Sequence, residues 1–150
     1  MLERILPDQV NNEFWGYKSS SVAFLVIAII SAARSLIHMF SPDGGAESIA
    51  TIDLNVEGAN IIVAMFALWS LSQLLMAVFY FLGYFRYQSL IPLMYIFIII
   101  EYAARIGVGL FKPIETMGTA PGAISNFILV PLAILLFIFS IREPESQTQH

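Results

Sequence analysis

The sequence predicts an all-α integral membrane protein, a bundle of four transmembrane helices. Three observations carry that prediction. Of 150 residues, 58% are hydrophobic and only 12% charged, with a mean hydropathy of +0.78, too little charge to cover a soluble domain. Four apolar runs each approach the roughly 20 residues that a helix needs to cross about 30 Å of hydrocarbon. None of the runs alternates apolar with polar residues as barrel strands do, so helices, which satisfy their own backbone, are what remains. The four spans use most of the chain, which makes residues 1–150 one domain.

The opening stretch, "MLERILPDQVNNEFWGYK", lacks the short apolar core and small-residue cleavage site of a signal peptide, so it is expected to stay on the protein. The first span covers residues 20–40, "SSVAFLVIAIISAARSLIHMF". "PDGG" at 42–45 then makes a turn, proline fixing one φ angle and glycine supplying positive ones. Residues 46–59, "AESIATIDLNVEGA", mix acids with Ile49, Ile52, Leu54 and Val56. That is too apolar for a linker and predicts a structured segment on the bundle's outer face. The remaining spans are expected at 60–82, 90–111 and 122–141. Pro92 falls in the first turn of its helix, whereas Pro131 is internal and should kink the fourth, freeing the carbonyl of Phe127. Trp15, Tyr17, Tyr84 and Tyr87 flank the spans as interfacial anchors. The terminal "REPESQTQH" reads as a disordered polar tail.

Basic residues set the direction. Arg4, Lys18, Arg86 and Arg142 lie in the two termini and the second loop, while the first and third loops hold only Lys112 against Asp43, Glu47, Asp53, Glu57 and Glu115. The positive-inside rule makes this a multi-pass protein of the plasma (inner) membrane with both termini cytoplasmic.

Several chemistries are excluded by composition. With no cysteine there is no thiol redox chemistry and no thiolate metal site. A net charge of −4 and a pI near 5.0 argue against nucleic acid as a partner. One interior histidine, His38, cannot ligate haem from both sides and makes a thin metal site, so neither metal nor other cofactor is expected. No Ser-His-Asp pattern and no pair of intramembrane acids is present, and no catalytic residue is assigned.

What does interrupt the apolar runs is charge, and the interruptions repeat. Ala32-Ala33-Arg34 is followed by Phe40 and Pro42, and Ala103-Ala104-Arg105 by Phe111 and Pro113 at the same spacing. Gly58-Ala59 then Asn60, and Gly122-Ala123 then Asn126, open the even-numbered spans. This predicts a parallel duplication of a two-helix unit about an axis along the membrane normal. Arg34 and Arg105 then share one depth, about 9 Å below the outer ends of their helices, and Glu101 lies about 15 Å down, near the midplane. His38 is one turn from Arg34 on the same face, as Glu101 is from Arg105. Arg34, His38, Glu101, Arg105, Asn60 and Asn126 are therefore the candidate ligand-binding residues of a polar pocket in the outer half of the bundle. The arginines are expected to face one another or a shared pocket, with Glu101 between them. Ser31, Ser35 and Tyr102 are candidates for its wall. Gln73, on the face of Trp69 and deeper, is expected to bond across helices.

Structural readings compete with each of these. An arginine at that depth can snorkel to water, and Glu101 can form an ion pair along its own helix with Arg105. Charge counting adds a constraint: two arginines and one glutamate leave one positive charge that needs an anion, and the sequence leaves open whether Asp53, Glu57 or a ligand supplies it. The function expected is binding or transport of a small anionic or amphipathic ligand. The alternatives are an accessory subunit of a membrane complex and an enzyme using His38 and Glu101 on a lipid-soluble substrate. Membrane lipid is one expected partner. Small residues Ala103, Ala104, Gly107 and Gly109, where helices can approach closely, predict a homo-oligomer or a membrane-protein partner.

Overall fold

Each apolar run folds into one helix: α1 at Lys18–Phe40, α2 at Ala59–Arg86, α3 at Ile91–Phe111 and α4 at Pro121–Ile141. The computed structural model describes residues 2–144, and among them there is no strand. All four helices are long and apolar enough to cross a membrane, and together they form a four-helix membrane bundle. Part of the tail, 145–150, lies outside the described residues.

The spans match their expected bounds except at the end of α2, which continues from Leu82 to Arg86. Gly83, in that extra turn, is buried beside Met94 and Phe24. Tyr87 closes that helix by donating its amide to the carbonyls of Gly83 and Leu82. In α4 the helix is unbroken through Pro131.

α1 packs chiefly against α2 and α3 chiefly against α4, and the two hairpins meet more sparsely, α1 on α4 and α2 on α3. Both termini lie at one end of the bundle. Tyr17 donates its amide to Phe139 at 3.0 Å, and Arg4 reaches the carbonyl of Ile141 at 2.8 Å. Ser89, in the turn between α2 and α3, pairs with the backbone of Asn11 there. The opposite end carries the two longer loops, and these are tied together. Thr51 accepts the amide of Met117 on its carbonyl at 2.8 Å and donates its hydroxyl to Gly118.

The two halves are filled differently. Toward the termini end the core is solid: Phe24 of α1 meets Tyr80 of α2 and Tyr95 of α3 edge-on at 5.5 Å each. Tyr95 donates its hydroxyl to Ser20 across helices at 2.6 Å. Such edge-to-face contacts and interhelical hydrogen bonds hold helices together where lipid removes the hydrophobic drive between them. Buried Ser20, Ser35, Ser70 and Ser140 allow close approach and return their hydroxyls to carbonyls of their own helices. Toward the loop end the bundle is hollow.

The first long loop is structured, as its apolar content predicts. Gly44 and Gly45 take φ of 62° and 73°, the left-handed turn that "PDGG" requires. Asp43 accepts the amides of Gly45 and Ser48 at 2.9 and 2.8 Å, which holds the exposed carboxyl well below the usual carboxylate range, the Ser48 amide contributing most. Ala46 is fully buried by the fold of this loop. A Cβ on Gly45 would come within 2.5 Å of the His38 ring, so glycine is required there by space as well as by φ.

Candidate functional site

The hollow half holds a cavity of about 580 Å³, within the roughly 300–1,000 Å³ of small-molecule sites. Helical periodicity selects its walls. α1 contributes Ile30, Arg34, Ile37 and His38, at the i, i+4, i+7, i+8 spacing of one helix face. α4 contributes Pro121, Ser125 and Leu129 along one ridge and Gly122 and Asn126 along the next. α2 adds Phe66 and Trp69, and α3 adds Tyr102 and Arg105. Ile49, Ala50 and Ala120 close the loop end.

Both arginines turn into this site. On a helix the Cα–Cβ bond tilts toward the N-terminus, and α1 and α3 both start at the termini end, so their side chains lean toward the middle of the bundle. Arg34 donates Nη2 to Oε1 of Gln73 at 3.0 Å, and Arg105 donates its Nη2 to the same oxygen at 2.7 Å. Gln73 stands 14 residues into α2, about 21 Å from its loop-side start at 1.5 Å per residue. The guanidinium groups therefore point away from the nearer boundary, and snorkelling to it is not what these residues do. Trp69, one turn from Gln73, lies against both cations, its ring 5.6 Å from the Arg34 guanidinium carbon and 4.8 Å from that of Arg105. Arg105 also lies 5.1 Å from the Tyr102 ring.

Glu101 takes a different place from the one expected. The group joining the two arginines is Gln73, while Glu101 pairs with Arg105 along its own helix, accepting Nε at 3.1 Å and also contacting Nη2. It does not line the cavity. Four residues apart on one helix, the two meet without any rearrangement of the bundle, and Arg34 is on another helix. Asn60 is also not brought to the site and is exposed. It precedes Trp69 by nine residues, or about 2.5 turns at 3.6 residues per turn, which sets it on the opposite face of α2. Asn126 does line the cavity, so the two asparagines aligned by the sequence pattern have unlike surroundings.

His38 is buried, with Nδ1 at 2.8 Å from the carbonyl oxygen of Gly44. A carbonyl only accepts, so Nδ1 carries a proton. This bond pins the loop over the cavity, and the ring packs 5.7 Å from Trp69 and 6.0 Å from Phe66. Of the expected wall residues, Ser31 and Tyr102 line the cavity and Ser35 does not; it is buried, bonding to the carbonyl of Ser31.

Protein-family models, curated proteins and solved structures offer no match to this chain. The chemistry of the site is read from its own residues.

Two cations and one carboxylate leave the site with an excess positive charge. Neither acid of the first long loop offered for this role turns in to cancel it: Asp53 and Glu57 are exposed, and Asp53 accepts from Asn55 instead. Among the described residues the ion pairs are Arg105–Glu101 and Arg4–Glu143, the second at the far end of the bundle. Arg34 thus meets a neutral oxygen and an aromatic face but no carboxylate there. It uses one of a guanidinium's five N–H groups on Gln73. Among the described residues no three of His, Cys, Asp and Glu gather as a metal-ligand set. The arrangement suits an anion: charge-assisted donors, a π-face and a largely apolar wall.

Trp69, Gln73 and the α4 ridge are the functional candidates that charge alone did not select. The i, i+4 spacing of Trp69 and Gln73 was the available signal.

Proposed function

We propose that the protein binds a small monovalent anion with an apolar portion, within the membrane, at the cavity between the two hairpins. The observation that carries this reading is that Arg34 and Arg105 share one cavity and one acceptor, Gln73, while the one carboxylate beside them, Glu101, pairs with Arg105 alone. An uncompensated cation in low dielectric costs several kcal/mol, and a bound anion removes that cost. Arginine recognises carboxylate and phosphate through its fork of donors. The cation–π contacts with Trp69, about 0.5–2 kcal/mol each, hold the guanidinium planes without neutralising them.

In this reading the bundle sits in the inner membrane with its basic end, Arg4, Lys18, Arg86 and Arg142, in the cytoplasm. The cavity belongs to the outer half, and the paired helical hairpins descend from one duplicated unit. The test is thermal unfolding of purified protein at fixed ionic strength, with monovalent anions from acetate to dodecanoate replacing chloride. A ligand at 100 times its Kd stabilises by about 2.7 kcal/mol. At least one anion should raise Tm, and Arg34→Ala should remove the rise. No anion-dependent rise, or one that survives Arg34→Ala, sinks the proposal.

A further inference from the structure

The geometry points to a ligand class: a single-chain amphiphilic carboxylate that enters sideways from the lipid, between α1 and α4. This rests on the anion-binding reading above and narrows it. Three independent features support it.

The first is charge. The described site has two guanidinium groups and one carboxylate, so a monoanion brings it to neutrality and a dianion overshoots. In low dielectric the overshoot is as unfavourable as the original excess. A carboxylate is singly charged at neutral pH, whereas a phosphate monoester is mostly doubly charged.

The second is size and lining. At roughly 30 Å³ per heavy atom, the share a water molecule takes in the liquid, a cavity of about 580 Å³ holds about 19 atoms. A carboxylate with one chain of a dozen carbons fits within it. Away from the arginines the wall is largely apolar, with Ile30, Ala33, Ile37, Phe66 and Leu129, and its polar groups are the uncharged Ser31, Ser125 and Asn126 beside His38 and Tyr102. Such a surface repays an alkyl chain more than it does a hydrated anion.

The third is the route. The hairpins meet sparsely where α1 faces α4, and Ile30 and Ile37, which line the cavity, are more than half exposed on the bundle's flank. Ile30 lies ten residues from the end of α1 and Leu129 eight residues from the start of α4, about 15 and 12 Å along their helices. The seam therefore reaches from the cavity into the hydrocarbon. Above it, His38 and Gly44 are bonded together, and Thr51 is bonded to Met117 and Gly118, which closes the loop end over the cavity. On the α4 side, a Cβ added at Gly122 would meet no atom within 4 Å. A side chain placed there has open space at the α4 rim of the cavity.

The experiment uses Trp69 as reporter. The chain has two tryptophans, and Trp15 sits at the other end of the bundle, so Trp15→Phe leaves Trp69 as the sole emitter. The protein is placed in zwitterionic lipid nanodiscs and titrated with bromine-labelled dodecanoate, acetate or inorganic phosphate. Dodecanoate should quench Trp69 saturably at one per chain. Arg34→Gln should abolish that quenching, and Gly122→Phe should weaken it at least tenfold. Acetate and phosphate should not displace dodecanoate at 100-fold excess. Far-UV dichroism and a cooperative thermal transition without ligand establish that both variants are folded, and Arg34→Lys, which keeps the charge and loses the fork, should retain part of the binding. If acetate or phosphate displaces dodecanoate in an Arg34-dependent way, the site is an anion site open to water and the ligand class is overturned while the anion reading stands. Full dodecanoate binding in Gly122→Phe overturns the lateral route. Quenching by no probe in an Arg34-dependent manner overturns both the inference and the reading beneath it.

Discussion

Gln73 offers two substitutions of nearly equal volume with opposite expected consequences. In Gln73→Leu the shared oxygen is lost, and with it hydrogen bonds at 3.0 and 2.7 Å to two cations. Bonds to charged groups contribute about 1.5–3 kcal/mol each, and water entering the adjoining cavity recovers part of that. The expected loss is therefore about 2–4 kcal/mol, near the lower end of the sum. In an Arg34→Ala background one of the two bonds is already gone, so the same substitution should cost about half as much, a coupling of about 1–2 kcal/mol. Gln73→Glu, in contrast, keeps an acceptor between the arginines and adds the missing negative charge. It should match or exceed the parent in stability and lose anion binding, because no excess charge remains. Unfolding in mixed micelles, followed by tryptophan emission, gives the stabilities, and the nanodisc titration gives the binding. A Gln73→Leu cost that is the same with and without Arg34 refutes the shared-acceptor reasoning. Undiminished anion binding in Gln73→Glu refutes the charge argument for the ligand.

Three further outcomes are expected. Glu101→Gln leaves both guanidinium groups without a carboxylate; since the side chains of the pair are 19% and 25% exposed, the loss should fall between the surface and fully buried limits, about 1–3 kcal/mol by the same unfolding assay. Asp43, whose carboxyl is held below its ordinary range by loop amides, contributes stability that is fully present above the unfolded value of 3.8 and is lost as pH falls through the lower folded one. The stability gap between parent and Asp43→Asn should thus be flat from pH 8 down to about 5 and shrink only below the unfolded pKa; hydrogen exchange at Gly45 and Ser48 reads it, and a gap that closes already near pH 6 would count against the loop assignment. Ser41→Cys, at the loop end, should label with an impermeant thiol reagent in intact cells, and protection of that thiol would invert the proposed orientation.

The fold was legible in the sequence because a bilayer makes apolar length nearly equivalent to a helix. The bounds of all four spans could be read to within a few residues, the largest difference being α2, which runs past Leu82 to Arg86. "PDGG" announced its own turn through residue types that tolerate few other conformations. The depth of Arg34 and Arg105 also follows from one dimension, since the rise per residue along a helix fixes it. Partnership across helices does not. Glu101 was legible as a neighbour of Arg105 four residues away, but the oxygen and the indole that Arg34 and Arg105 share come from α2, whose rotation about its axis no spacing within α1 or α3 specifies. The same rotation carried Asn60 outward, while α4 turned Asn126 toward the cavity. The cavity itself is a property of packing: large aromatics fill the half near the termini, and the small residues Ala33, Ala50, Ala120 and Gly122 leave the other half open. Sequence determined that charges would lie within the membrane and at what depth; only the packing of helices about their axes decided which groups answer them, because a side chain's direction around its helix has meaning only against a neighbour.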